Sequence, residues 1–333
     1  MSLYPRCAQP RILSRATDMQ TLNEIRDVLN SMGLRPRKQF GQCFLIDKNL
    51  MRKLLELARV GPDRTVLEVG PGTGSLTEEL LEHAAKVVAV EIDRDLAGLL
   101  RQRLAGRKNL VLICGDVLAG KHAIAPEVLA ALGPSSDLVA NLPYQVATPL
   151  VAECLKMGTG TCFPDDSGRG AERESAKIGD CPRFLTRFCR LTFTVQREVA
   201  DRMTARPGGG RYGPISVLVS LLGRTTAGPA VPASAFWPRP KVESRILRID
   251  FDAALAGRLA DVRTLERVLS LAFGQRRKQI GSVAKRKNSP FLPGQFEEAL
   301  LAAGVDPALR AEEVSPEQFR VLSNALGAWD GSA

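Results

Sequence analysis

From Thr65 onward the chain alternates short apolar runs with amphipathic stretches, and that rhythm restricts the folds open to it more than any other feature. The apolar runs Thr65–Val69, Lys86–Glu91, Leu110–Cys114, Asp137–Ala140 and Leu191–Val195 read as strands. Helical periodicity fills the gaps at Leu76–His83, Asp95–Leu104, Pro126–Leu132 and Thr148–Lys156. Strands that alternate with helices predict an α/β fold, a mainly parallel sheet covered on both faces. In such sheets ligands bind beyond the carboxyl ends of the strands, near the point where strand order reverses.

Each chemically suggestive motif falls at one of those strand ends. The first strand runs into Glu68-Val69-Gly70-Pro71-Gly72-Thr73-Gly74. Gly70, Gly72 and Gly74 let the backbone approach a ligand closely, and the following helix offers free N–H groups to a carboxylate. The spacing departs from a dinucleotide fingerprint, because Ser75 holds the place of its last glycine. Glu91 ends the second strand and suits the two hydroxyls of a ribose. Asp116 follows the third strand and suits an adenine amine. Singly, each is equally an ordinary turn or helix cap; their recurrence at three successive strand ends argues for a cofactor site, and although an NAD enzyme uses the same first two elements, only S-adenosylmethionine also accounts for the motif that follows.

At the end of the fourth predicted strand stands Asn141-Leu142-Pro143-Tyr144. The lone pair of an aromatic amine is delocalised into its ring, so the amine is a poor nucleophile. The side-chain oxygen of Asn141 and a main-chain carbonyl, that of Leu142 or Pro143, can accept its two N–H bonds. This favours a tetrahedral nitrogen with its lone pair directed at a methyl donor. Tyr144 supplies a ring on which a flipped-out base can stack. Catalysis of this kind is positioning and electrostatics, without a strong base.

Composition narrows the remaining classes. The 333 residues carry a net charge of +10, which favours a polyanionic partner. No apolar stretch approaches the roughly 20 residues of a membrane span, so no membrane role is expected. Seven irregularly spaced cysteines and no legible secretory leader read as reduced thiols in the cytoplasm. With two histidines, and with Cys154/Cys162 and Cys181/Cys189 spaced too widely for a usual zinc site, no metal is expected. No heptad or apolar interface stripe stands out, so a monomer is expected.

Residues 1–19 carry Arg6, Arg11 and Arg15 with no apolar period, and read as a disordered tail or an upstream start rather than a transit segment. A helix over Leu22–Ser31 and another over Lys48–Arg59, capped by Asp47, flank a basic segment containing Arg35, Arg37 and Lys38. Residues 158–190 read as a long insertion before the fifth strand. Further on, Gln196–Ala205 reads as helix, Lys241–Phe251 as a strand of an antiparallel pair, and the chain beyond Asp252 as wholly helical. From Pro238 to Lys287 there are 13 Lys or Arg against 5 Asp or Glu. Arg276, Arg277, Lys278, Lys285, Arg286 and Lys287 form a run free of acid, suited to the backbone of folded RNA.

Read together, these residues closely resemble the small-subunit ribosomal RNA adenine N6-dimethyltransferase family. The resemblance rests on Gln39–Leu45, Glu68–Gly74, Glu91-Ile92-Asp93, Gly115-Asp116, Asn141–Tyr144, Gln196–Val199, Tyr212-Gly213, Phe236–Ser244 and Phe273–Lys278. It implies a class I S-adenosylmethionine-dependent methyltransferase domain, Rossmann-like with a seven-stranded mixed sheet, over 35–252. A smaller all-α RNA-binding domain follows over 253–333, and an N-terminal extension and helix over 1–34 precede it. The resemblance also implies dimethylation of two adjacent adenosines in the 3′-terminal hairpin of 16S rRNA, in the course of small-subunit biogenesis. The cofactor would be held at Cys43, Leu45, Gly70, Glu91, Asp116 and Asn141, and the target adenine at Asn141 through Tyr144. Family members usually carry Asn or His where Cys43 stands. Two other readings compete: an adenine methyltransferase of DNA or large-subunit rRNA, and a non-catalytic assembly factor of immature small subunits.

Overall fold

A computed structural model of the chain describes residues 19–120, 123–159, 187–285 and 289–330, the side chains of Lys38, Trp329 and Asp330 excepted. The expectations for residues 1–18, for most of the insertion, and for Arg286 and Lys287 therefore lie outside the described residues.

Helix α1 (Leu22–Ser31), the two-residue β1 (Phe44–Leu45) and α2 (Lys48–Ala58) lead into the predicted alternation. It runs β2 (Thr65–Val69), α3 (Ser75–His83), β3 (Lys86–Glu91), α4 (Arg94–Arg103), β4 (Leu110–Cys114), α5 (Pro126–Ala131), β5 (Ser135–Asn141), α6 (Ala147–Met157) and β6 (Arg187–Gln196). Next come α7 (Arg197–Met203), α8 (Pro214–Leu222), β7 (Gly223–Val231), the two-residue β8 (Phe236–Trp237) and β9 (Ser244–Phe251). The remainder is helical: α9 (Ala253–Ala256), α10 (Val262–Phe273), α11 (Ile280–Val283), α12 (Pro293–Ala302) and α13 (Pro316–Asp330).

Seven strands form one mixed sheet in the order β4-β3-β2-β5-β6-β9-β7. Strands β2 to β6 pair in parallel, and β9 pairs antiparallel with both β6 and β7. Strand order reverses between β2 and β5, so the ends of those two strands, Val69 and Asn141, open the crevice. Alternation along each strand loads both faces. Val66, Val87 and Val139 pack with Met51, Leu54 and Leu80 of α2 and α3. Leu67, Val88 and Leu138 belong to the opposite cluster, with Leu150 and Val151 of α6.

Three features depart from the expectations. The helix α8 and the strand β7 were not foreseen, because Pro214–Leu222 is apolar but for Ser216 and Ser220 and shows no clear amphipathic period. Strand β7 is a sheet edge with mostly exposed residues, and it carries Pro229 at the register shift between Ala227 and Ala230. Strand β6 begins at Arg187, so the end of the segment read as insertion is sheet. A bulge between Ser136 and Asp137 lets Arg187 and Phe188 pair with β5. Finally, β1 and β8 pair antiparallel, tying the basic N-terminal segment to the proline-rich one.

The C-terminal helices share the larger apolar cluster with the sheet. Tyr212, fully buried, donates to the Val314 carbonyl at 2.9 Å, and its ring meets Phe273, which packs on Phe319. Lys156 of α6 is buried between Glu153 and Glu266 of α10, with its Nζ 2.6 Å from an oxygen of each. Burial still pushes the Glu153 carboxyl up to about 6, against the opposing pull of the Lys156 ammonium. Replacing Lys156 by alanine leaves acids facing a low-dielectric site, and breaking such a pair costs about 3–5 kcal/mol. Denaturant unfolding of Lys156→Ala is expected to show a loss of that size; one under about 1 kcal/mol would contradict the role assigned to the pair.

Candidate active site

The crevice holds a cavity of about 530 Å³ whose walls come from the ends of β2, β3, β4 and β5 and from the segment before α2. Gly70, Gly72 and Gly74 have φ of +70°, +62° and +91°, a left-handed region that other residues avoid. Space excludes side chains there as well. A Cβ on Gly72 would lie 2.8 Å from the Phe44 ring, and one on Gly70 would lie 3.1 Å from Pro143 Cγ. The turn is thus pressed between β1 on one side and the loop after β5 on the other. It ends at α3, whose first turn has no side-chain cap at Gly74. Thr73, Ser75 and Leu76 face the cavity beside that positive helix end.

Glu91 is buried at the end of β3. Its Oε2 accepts from the Gly72 N–H at 3.0 Å and its Oε1 from the Asp93 N–H at 2.9 Å. The two backbone bonds favour the charged form, but burial outweighs them and raises the carboxyl above its usual range. Each oxygen retains a lone pair, so Glu91 orders the glycine turn and keeps capacity for a ligand hydroxyl. Asp116 is exposed at the rim, where its Oδ1 accepts from the Leu118 N–H at 3.0 Å. Leu45 is buried in the cavity wall.

The amide of Asn141 donates through Nδ2 to the Cys43 carbonyl at 2.9 Å. A carbonyl can only accept, so the nitrogen must face it and the planar amide turns Oδ1 the opposite way. The contact uses the backbone of residue 43, so cysteine in place of Asn or His leaves it intact. Burial raises the Cys43 thiol, which keeps it neutral. The Leu142 N–H donates to the Thr194 carbonyl at 3.2 Å, and the Pro143 carbonyl accepts from the Val146 N–H at 3.2 Å. Of the two carbonyls left open by the sequence, that of Leu142 is the one without a hydrogen bond among the described residues. Tyr144 is half-buried, and its hydroxyl lies 3.3 Å from Ser244 Oγ at the start of β9.

The basic residues fare unevenly. Arg37 pairs with Asp93 at 2.9 Å and Asp95 at 2.5 Å, while Gln42 bonds both Asp93 and the Arg37 N–H. Its charge therefore fastens the N-terminal segment to the loop beyond Glu91. Arg276 bonds Glu312 and the Gly210 carbonyl, which holds the turn after α7. Lys285 lies 3.4 Å from Glu297. Arg35, Arg277 and Lys278 are exposed. Among the described residues no group of three or more His, Cys, Asp or Glu is placed to hold a metal.

Glu68, Gln20 and the wall residues Ile92 and Val117 have no role legible in the sequence. Glu68 was legible as a lone acid in an apolar strand. It is fully buried, its Oε2 has no hydrogen-bond partner among the described residues, and burial outweighs the opposing pull of the neighbouring Thr77 hydroxyl and, with Glu91 adding to it, pushes its carboxyl up to about 8. The folded chain holds this proton more tightly than the unfolded one. The resulting stabilisation is complete below the usual carboxylate value of 4.5 and is lost as pH rises towards 8. Glu68→Gln, permanently neutral, is expected to flatten the fall in melting temperature across that range and to exceed the wild type above it. Parallel curves for the two proteins would contradict the assignment.

A seven-stranded sheet with antiparallel β9, a glycine turn at the switch point and an acid at the next strand end define a class I methyltransferase. The comparisons carry this further. Residues 33–327 match the family model described as ribosomal RNA adenine dimethylase, and the chain belongs to that family of methyltransferases. It is similar to the ribosomal RNA small subunit methyltransferase A of Moorella thermoacetica, at 38% identity over 94% of this chain and 99% of the relative. The protein of the same description from Phenylobacterium zucineum is also 38% identical, over 92% of this chain and 94% of its own length. Among solved structures, the 23S rRNA methyltransferase ErmE matches with a TM-score of 0.53 and 28% identity over 85% of this chain and 99% of that one. A dimethyladenosine transferase from Plasmodium falciparum shares the fold, with a TM-score of 0.59 at 22% identity, covering 83% of this chain and 94% of that one.

Proposed function

We propose that this chain dimethylates N6 of adenosines in small-subunit ribosomal RNA, two adjacent ones in the 3′-terminal hairpin of 16S rRNA, during assembly of the subunit in the cytoplasm. The observation that carries the chemistry is the Asn141 amide, whose orientation is set by the Cys43 carbonyl so that Oδ1 is left to a ligand. The small-subunit target rests on relatives of that description, which align over nearly their whole length.

The donor is S-adenosylmethionine, which supplies a methyl group already activated on a sulfonium sulfur. The residues present fit it. The turn admits no side chain at its glycines, Glu91 keeps free lone pairs for ribose hydroxyls, and Asp116 keeps Oδ2 for an adenine amine. The uncapped start of α3 suits a carboxylate. On the substrate side, Asn141 Oδ1 and the Leu142 carbonyl accept the two N–H bonds of the target amine. They hold the nitrogen pyramidal with its lone pair towards the donor. Tyr144, tethered at its hydroxyl, offers its ring to the extruded base. The methylated amine is acidic enough to lose its proton to water, so no strong base is required.

Arg35, Arg277 and Lys278 are the exposed cations we assign to the RNA backbone. Replacing Arg277 and Lys278 together by alanine is expected to lower the slope of log affinity against log salt by about 2. Cofactor affinity is expected to stay unchanged; an unchanged salt slope would remove the pair from the RNA contact. For the reaction itself, under-methylated small subunits and, in a parallel reaction, large-subunit RNA are incubated with labelled donor and each product is digested to nucleosides. Label is expected in N6,N6-dimethyladenosine, with the rate reduced about 10²- to 10³-fold by Asn141→Ala. Label on large-subunit RNA alone would favour that alternative target, and tight subunit binding without label would favour an assembly factor.

A further inference from the structure

Gln20 precedes the first helix by two residues, outside the stretch that matches the family model. It nevertheless is only 4% exposed. A buried amide needs partners, and those of Gln20 lie more than fifty residues away in the glycine turn. Its Oε1 accepts from Thr73 Oγ1 and from Ser75 Oγ, both at 2.7 Å, while Nε2 points to the Thr73 carbonyl at 3.5 Å. Thr73 and Ser75 line the cavity; Gln20 does not. We propose that Gln20 is a positioning residue of the cofactor site, holding Thr73 and Ser75 from behind so that the glycine turn and the start of α3 are set before a ligand arrives. The inference rests on the reading of the cavity as the S-adenosylmethionine site.

The anchor is itself well fixed. Thr21 caps α1 in a reciprocal pair with Glu24, which defines where the chain enters the helix. Met19 on the other side is buried in the apolar cluster of α2 and α3, and Ile25 and Leu29 pack against Phe44. Gln20 is therefore held between two apolar attachments and is aimed at one turn. From the opposite side, Arg103 of α4 donates to the same Thr73 carbonyl at 2.8 Å and pairs with Glu78 of α3. The turn has left-handed glycines on both sides of Thr73, a backbone with little resistance of its own to rearrangement. The hydroxyl contacts at Thr73 and Ser75 restrict it together with the Glu91 bond to the Gly72 N–H and the Arg103 bond to the Thr73 carbonyl, and restricting a site in its bound form raises affinity by lowering the ordering cost of binding.

The test is calorimetric titration of S-adenosylhomocysteine into the full-length wild type, Gln20→Ala, and Gln20→Met, which fills a similar volume without the hydrogen bonds. Both variants are expected to bind about tenfold more weakly, roughly the worth of one or two net hydrogen bonds. In turnover, KM for the donor rises by the same factor while kcat at saturation stays within about twofold, the pattern of lost uniform binding. In a double-mutant cycle, Gln20→Met costs less on the Ser75→Ala background than on the wild type, because the Ser75 contact is shared while the contact to Thr73 remains. A folded Gln20→Met that binds within about twofold of the wild type, or effects that simply add, would overturn the proposal. Failure of both variants to fold would also overturn it, by making Gln20 a determinant of the fold. Absence of binding by the wild type would instead sink the cofactor reading on which the proposal rests.

Discussion

The site depends on one constraint: a backbone turn that accepts no side chain at its three glycines, packed by other parts of the chain wherever it does not face the cavity. Gly70, Gly72 and Gly74 take left-handed angles, and the space beside them belongs to Pro143, Phe44 and Leu100. Pro143 is part of the proposed target loop, Phe44 comes from the N-terminal segment, and Leu100 comes from α4. The Gly72 N–H is held by Glu91 and the Thr73 and Ser75 hydroxyls by Gln20. Cofactor side, target side and N-terminal segment therefore meet at five residues, and a distortion of that turn reaches all three.

The chemistry asked of this arrangement is mild, and the groups present suit it. The acceptors around the target loop are a side-chain amide and a main-chain carbonyl, neither of which titrates near neutrality. The ionisable groups nearby are biased towards neutral forms: burial raises the Cys43 thiol, the Tyr144 hydroxyl and the Glu68 carboxyl alike. A site without a strong base offers nothing to compete with the amine lone pair, so the work left to the protein is orientation.

The sequence made the parallel half of the sheet readable, because β2 to β5 are short apolar runs separated by stretches of helical period. Four of the site's chemical groups were readable for the same reason, since Gly70, Glu91, Asp116 and Asn141 sit at or just past strand ends. What escaped was decided by tertiary context. Helix α8 is buried except at Pro214 and Ser220 and is too uniformly apolar to show a clear period; β7 is an edge strand interrupted by Pro229; β6 extends back to Arg187 through a bulge. Arg37 and Arg276 look like free charge in a one-dimensional reading, yet each has an acid waiting in a distant segment. Gln20 carries no motif at all, and its partners at Thr73 and Ser75 become visible only when the chain before α1 is laid beside the glycine turn.

The central claim is that the glycine turn, closed by Phe44, is what holds the donor. The measurement that tests it most directly is equilibrium binding of S-adenosylhomocysteine to Gly72→Ala. A Cβ there meets the Phe44 ring at 2.8 Å in a left-handed backbone, so the turn must open. Affinity is expected to fall at least about tenfold, with far-ultraviolet circular dichroism showing the fold retained. Wild-type affinity in a folded Gly72→Ala would contradict the account.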